Sequence, residues 1–576
     1  MLNIEISDLI SEQSFCKYLK NIRKEKRITL IQLSNGIVDE SNLAKIEKGK
    51  RSAGKTLSDR LMGRLGVSFE QYESKLYIGE FEDWKRQREI SRIIYEICNC
   101  KNQNEIIENS ILFDKAINLY EKTGNQHDVL KKEFCLVMRA EREKINLKNH
   151  DIIAQYYKKA ARLIFNEKVI NHLKDRLFSV QELNIIIEYV YYNHKDKFEK
   201  LALLVISYLR ERRCDTYFIS KIYPKIIYYC MKFSVQELDK TQLFRLLIGC
   251  NKALIILHKT KNAYYLYELL CEKEKMLECL AMNKEVKNYL WIKKELENTK
   301  KSKLKYEDAC EKYKVYKYTR TALYMYKQRK IRCIGTVIKD RRCMLGMTQK
   351  ELCKEICSIK TLRRIENNES QTQKEIVQML LFRLGIPCQL HGADIISNDT
   401  NVLEMIDEIK EFYYTGKNIE HKKILKELSQ KMELSIPSNR QYLSIIELML
   451  EHKDNCISKG EYVKKLENAL SITIPSIDRI LLSDEMYFSR IELICIGEIM
   501  LYKKDRQIQM QYADLLIRYY QRMESEGYLS EEIETYEVIM KHVLQVLQSI
   551  GEVNKYCKLK NRVFHELLKQ KRIIEL

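Results

Sequence analysis

At 576 residues and 68.9 kDa the chain exceeds one ordinary hydrophobic core, so several domains are expected. With 17 Gly and 4 Pro set against abundant Leu, Ile, Lys, Glu, Gln and Arg, the composition disfavours a turn-rich sheet protein and favours helices. The net charge of +21 suits a polyanionic partner or plain solubility, no apolar run reaches the roughly 18 residues of a membrane span, and no basic region leads into an apolar stretch at the start; a cytoplasmic protein without a membrane is the expectation.

In residues 12–72, Phe15, Leu19 and Ile22 give the apolar face of a first helix, and Ile28 leads into a second that starts after Thr29. Thr29 and Gln32 have the spacing of a capping box, which satisfies amides at a helix start. A third helix is expected from near Asp39 to Glu47 with Leu43 and Ile46 inward, leaving Glu40, Ser41 and Lys45 on the opposite or flanking surface. Such a surface fits a major groove about 12 Å wide, and equally the charged outside of a compact packing module.

Residues 73–299 alternate helical apolar patterns such as ILFDKAINLYEKTG and LALLVISYLRERR with short turns, the pattern of stacked helix pairs in a solenoid. Tyr191, Tyr192, Tyr228 and Tyr229 suit either a peptide groove or ordinary packing. His127, His150, His172 and His194 fall in separate presumed helices, and there is neither an HExxH pattern nor a Gly-rich phosphate loop, so a non-enzymatic protein without cofactor is expected. Cys98 and Cys100, like Cys343, Cys353 and Cys357, lack a second ligand cluster at metal spacing and read as packed thiols. Residues 300–330 read as a basic helical connector: between Lys300 and Arg332 there are 12 Lys or Arg and 3 acidic residues, interleaved with tyrosines, which suits DNA phosphates or a solvated link.

Residues 331–391 repeat the beginning. TQKELCKEICSIKTLRRIENNE from Thr348 aligns without a gap to TLIQLSNGIVDESNLAKIEKGK from Thr29, pairing Leu33 with Leu352, Ile37 with Ile356, Leu43 with Leu362 and Ile46 with Ile365, each 319 positions apart. Thr348 and Glu351 repeat the capping box, and the third helix, starting near Ser358, offers Ile359, Lys360 and Arg364. Residues 392–576 return to helical patterns. LFSVQELNIIIE from Leu177 echoes LLSDEMYFSRIE from Leu481, an offset of 304, with chance similarity between Leu- and Ile-rich helices as the rival reading.

Both short segments resemble the helix-turn-helix domain of phage repressors and their bacterial relatives, carried by Leu43, Ala44, Lys45, Ile46, Glu47 and Gly49 in the first and Leu362, Arg363, Arg364, Ile365, Glu366 and Asn368 in the second. The resemblance implies structural ion pairs Arg23 with Glu47 and Arg342 with Glu366. It implies base reading by Glu40, Ser41 and Lys45 in the first copy and by Ile359, Lys360 and Arg364 in the second. Backbone contacts would come from Thr29, Lys48, Lys50 and Arg51, and from Gln349 and Lys350. The family's Gln after the Thr is present as Gln349, whereas the first copy has Leu30; Glu40 could accept from cytosine N4 or repel phosphate and weaken the first copy.

A repressor-like head followed by divergent tetratricopeptide-type repeats resembles the cytoplasmic peptide-pheromone receptors of Gram-positive bacteria, which implies a short peptide in the solenoid concavity. The expectation is an all-α chain in which two helix-turn-helix domains (12–72 and 331–391) alternate with two helical-repeat solenoids (73–299 and 392–576). It would be a single-chain pseudo-dimer, with higher oligomers open, that regulates transcription from double-stranded DNA and has a short peptide or protein as a further candidate ligand. The alternative is a helical interaction scaffold or defence-system component with degenerate heads, motivated by Leu30, Glu40 and Asn368.

Overall fold

The computed structural model describes residues 15–100, 103–123, 128–145, 150–165, 173, 175–234, 240–282, 289–369, 372–387, 421–481, 483, 485–573 and scattered positions between 391 and 409. His127 and His172 lie outside the described residues.

The chain opens with α1 (Phe15–Glu25), α2 (Leu30–Ser34), α3 (Glu40–Glu47) and α4 (Lys55–Arg64). Cys16, Leu19 and Ile22 recur at helical spacing on α1 and bury against Leu33, Leu43, Ile46 and Leu61. After β1 (Glu73–Leu76) come α5 (Ile78–Asn99), α6 (Gln103–Lys122), α7 (Val129–Ile145), α8 (His150–Ile164), α9 (Val180–Asn193), α10 (Phe198–Glu211), α11 (Thr216–Ser234), α12 (Lys240–Thr260), α13 (Leu266–Ala281) and α14 (Tyr289–Lys312). Neighbouring helices pack on one another around a single apolar core, forming the first helical body. Within it Tyr191, Tyr192, Tyr228 and Tyr229 join one aromatic cluster where α9 meets α11.

The second half begins with β2 (Ile331–Cys333), α15 (Ile334–Leu345), α16 (Gln349–Cys353), α17 (Ile359–Glu366) and α18 (Lys374–Arg383). β3 (His391–Gly392) leads to the second body: α19 (His421–Lys431), α20 (Pro437–Lys453), α21 (Lys459–Ser471), α22 (Ile477–Leu481), α23 (Arg490–Tyr502), α24 (Arg506–Ser525), α25 (Ile533–Ile550) and α26 (Val553–Lys569). α15 to α18 each start 319 positions after α1 to α4. Left-handed backbone recurs at the same interval, at Arg27 and Gly346, Gly36 and Glu355, Gly49 and Asn368, and Gly66 and Gly385. The local turn geometry is therefore shared even where the glycine is not.

In the bodies the interval is 310. Ser179 and Glu182 form a reciprocal capping box at the start of α9, and Ser489 and Glu492 form the same box at the start of α23. This corrects the 304 offset expected from Leu177 and Leu481. Apolar residues at helical period overlap under more than one slip, and here the polar capping residues decide the register.

The basic connector departs from expectation as well. Residues 300–312 complete α14, but from Tyr313 to Lys330 the chain leaves the helix apart from a short 3-10 turn at Leu323–Tyr326. The stretch is not a solvated link: Tyr306, Tyr313 and Tyr324 are buried in protein, and Lys303 and Lys317 pair with Glu274 and Glu307.

A three-stranded sheet, ordered β2-β1-β3, modifies the all-helical expectation. β1 runs parallel to β2, with Ser74 opposite Ile331, and antiparallel to β3, with Glu73 opposite Gly392. Leu76, Ile331 and Cys333 bury here with Phe81 and Trp84, so the junctions between short segments and bodies form a core of their own. Elsewhere Asn262 and Arg572 make an antiparallel bridge, flanked by Ala263 N donating to Lys571 O (2.7 Å) and Ile573 N donating to Lys261 O (2.9 Å). Both antiparallel pairings join positions that correspond at the two intervals, so the halves face each other about a local two-fold.

Candidate nucleic-acid interface

α17 is built to present one face. Ser358 Oγ caps its start by accepting from Thr361 N at 3.0 Å. Leu362, Ile365 and Glu366 are buried, which leaves Ile359, Lys360, Arg363 and Arg364 exposed together. α16 supports it from behind: Thr348 and Glu351 form a capping box, and Arg383 Nη1 donates to Leu352 O at 3.0 Å and to Lys354 O, closing the other end of the helix. In the first segment Arg64 Nη1 does the same for Leu33 O (2.9 Å) and Asn35 O (2.7 Å), with Thr29 and Gln32 as the capping box.

Arg342 Nε donates to Glu366 Oε1 at 2.6 Å and Nη2 to Oε2 at 3.1 Å, while Nη1 reaches Met347 O at 2.8 Å. Arg23 repeats all three contacts, at 2.6 and 2.8 Å to Glu47 and 2.7 Å to Ile28 O. Hydrogen bonding to the carboxylate raises both guanidinium pKa values, Arg23 through Glu47 and Arg342 through Glu366, so both guanidinium groups stay charged. Each ties α1 or α15 to the end of α3 or α17.

The other named residues divide by environment. Glu40, Ser41, Lys45, Lys48 and Lys50 are exposed on and just after α3. Arg51, also exposed, donates to Asn42 Oδ1 at 2.7 Å, and Thr29 is committed to its cap. Lys350 is exposed, whereas Gln349 Nε2 donates to Glu366 Oε2 at 2.7 Å and so buttresses the Arg342 pair. The exposed faces thus differ: α17 carries Lys360, Arg363 and Arg364, and α3 carries Glu40 beside Lys45.

Residues 338–390 match the Helix-turn-helix family. The match begins within α15 and takes in α16, α17 and α18, so the exposed basic face lies on the helix that follows the turn of a helix-turn-helix domain. No curated protein and no solved structure matches the chain. Among the described residues there is no group of His, Cys, Asp and Glu able to hold a metal ion, the cysteines are free, and no helix is long and apolar enough to cross a membrane.

Sequence reasoning missed the residues that seat these domains on the bodies. Arg341, completely buried, directs Nη1 and Nη2 to the Glu492 carboxylate at 2.9 and 2.6 Å, and also donates to the carbonyls of Leu384, Tyr487 and Thr473. In the first half Arg64 meets Glu182 (2.6 and 3.2 Å) and Arg60 meets Glu133 (2.6 and 2.7 Å), again buried. Burial alone would raise the Glu182 pKa, but Arg64 and Arg60 together hold it at about 2. The same capping glutamate receives an arginine in both halves, from α4 in one and from α15 in the other. The S-x-x-E spacing at Ser179 and Ser489 was the available signal; which arginine would reach it depends on the docking angle.

Proposed function

We propose that the chain is a sequence-specific double-stranded DNA-binding transcriptional regulator built from two fused copies of a head-and-body unit, with a short peptide bound in a helical body as its effector. The observation that carries the DNA reading is the exposed Lys360, Arg363 and Arg364 face on α17 within the segment that matches the Helix-turn-helix family. Lys and Arg on such a helix donate to guanine O6 and N7 in the major groove, and other lysines around the head neutralise phosphates. The repeated 319-residue interval of helices, caps and left-handed turns supports two heads of common origin. Glu40 on α3 makes the first head the weaker reader, so the operator is asymmetric, with half-sites about 34 to 36 Å apart or a multiple of that.

The test is protection mapping on a duplex library at fixed salt, comparing wild type with Lys360→Ala/Arg364→Ala. A discrete footprint in wild type, weakened by about 30-fold or more in the variant, follows from losing two base contacts worth about 1 to 3 kcal/mol each. Binding that depends on salt but not on these side chains refutes base reading by α17.

A further inference from the structure

The two bodies can be compared at one place where their frameworks correspond. In the first, the stretch after α14 lies across the body as a bound segment. Lys571 Nζ donates to Tyr316 O at 2.6 Å and Lys317 O at 3.1 Å. Ala322 N donates to Glu141 Oε2 at 2.7 Å, and Gln181 Nε2 donates to Met325 O at 2.8 Å. Tyr324 stacks on Tyr264 with centroids 4.1 Å apart, and Ala322 and Met325 are almost wholly buried. These are interactions by which a groove holds a peptide, here one that ends in a 3-10 turn at Leu323–Tyr326: backbone groups matched by side chains, and Ala322, Tyr324 and Met325 buried.

The counterpart place in the second body is a cavity of about 220 Å³ between α20, α23 and α25. Its wall includes Ile446, Met449, Ile491, Ile494 and Val538. Two lining residues correspond, at the 310 interval, to residues that hold the segment in the first body: Ile491 to Gln181, and Lys261, reaching across the two-fold bridge, to Lys571. His542 also lines it, with Nδ1 buried and without a hydrogen-bond partner among the described residues. The volume is below the roughly 300 Å³ at which compact-ligand pockets begin, so it suits side chains of a longer segment better than a whole small molecule.

We propose that residues 316–326 are a built-in ligand of the first body, and that the cavity of the second body is the open counterpart, receiving one peptide segment from outside. That segment places apolar side chains between α20, α23 and α25 and offers a backbone carbonyl to Lys261, whose Nζ also donates to Glu537 Oε1 at 3.2 Å. The inference rests on the duplicated-unit reading and deepens its peptide clause: the chain takes one external segment, not two.

The probe is a synthetic peptide of residues 316–326, titrated calorimetrically into the full chain without DNA. Wild type binds one equivalent; Ile494→Trp, which fills the cavity, and Lys261→Met, which removes the carbonyl donor, each weaken binding at least tenfold. Tyr324→Ala/Met325→Ser loosens the built-in segment and raises the stoichiometry to two. Hydrogen exchange of wild type shows amides 322–326 protected like those of α9, and reports whether each variant remains folded. No binding by wild type, binding indifferent to both cavity variants, or fast exchange at 322–326 overturns the proposal. Because no DNA is present, failure here leaves the footprint result standing, and a failed footprint leaves this one standing.

Discussion

Removing the charge of Glu492 should release the second head from its body. The carboxylate accepts two hydrogen bonds from Arg341, one from Thr473 Oγ1 and one from Ser489 N, and both Arg341 and Glu492 are fully buried. In Glu492→Gln the guanidinium keeps its carbonyl partners but loses its counter-ion in a site without water access. Breaking one side of a buried pair costs about 3 to 5 kcal/mol, because an uncompensated charge remains. Total domain stabilities are about 5 to 15 kcal/mol, so the loss is large. In a chain of this size unfolding is not a single transition, so the assay is amide exchange resolved by segment. Exchange in α15 and in the first turn of α23 should quicken by about 100-fold or more, while α1 to α4 stay as in wild type. Arg341→Met/Glu492→Leu should recover most of the protection, since an apolar pair replaces the ionic one. Uniform exchange across both heads, or no change in α15, would refute the idea that this pair seats the second head.

Two further outcomes follow from local chemistry. Thr348→Ala removes the acceptor for Glu351 N and destabilises the second head by about 1 kcal/mol, measured as faster exchange in α16, with Thr29→Ala doing the same to α2. Burial lowers the His542 pKa from 6.5 to about 4, so the folded chain resists a proton that the unfolded chain accepts. Stability at α25 is therefore complete above about pH 6.5 and falls as pH drops toward 4, by about 2 to 3 kcal/mol. Comparing exchange at pH 7 and 4.5 in wild type and His542→Phe isolates this term from the other buried acids; an equal pH response in both chains refutes it.

What the sequence revealed was mostly local. Capping boxes at Thr29 and Thr348 are set by residues three apart, and helical periodicity by residues three and four apart, so helix starts and the largely helical class were legible. Long-range polar contacts were not. Arg341 stands beside Arg342 and looks like one more surface cation, yet it is among the largest fully buried side chains. Tyr324 and Met325 sit among so many lysines that a solvated helix was the natural reading, until the bodies were in place to bury them. The sheet was hidden for the same reason: its strands have two to four residues each and acquire partners only across the two halves.

Under the built-in ligand proposal, the two copies share a framework but not a duty. In each, one helix joins the groove to the head. On α23, Ile491 and Ile494 face the cavity while Glu492, between them in sequence, grips Arg341. On α9, Gln181 holds Met325 of the built-in segment while the adjacent Glu182 grips Arg64. A segment entering the second body therefore acts on the same helical turn that anchors the second head, with no loop between to absorb a shift. The first head is anchored by two arginines and its groove is already filled, so it serves as the fixed reference. The fused chain then needs one external ligand to change the spacing of two heads, and the head it moves is the one whose α17 carries the exposed basic face.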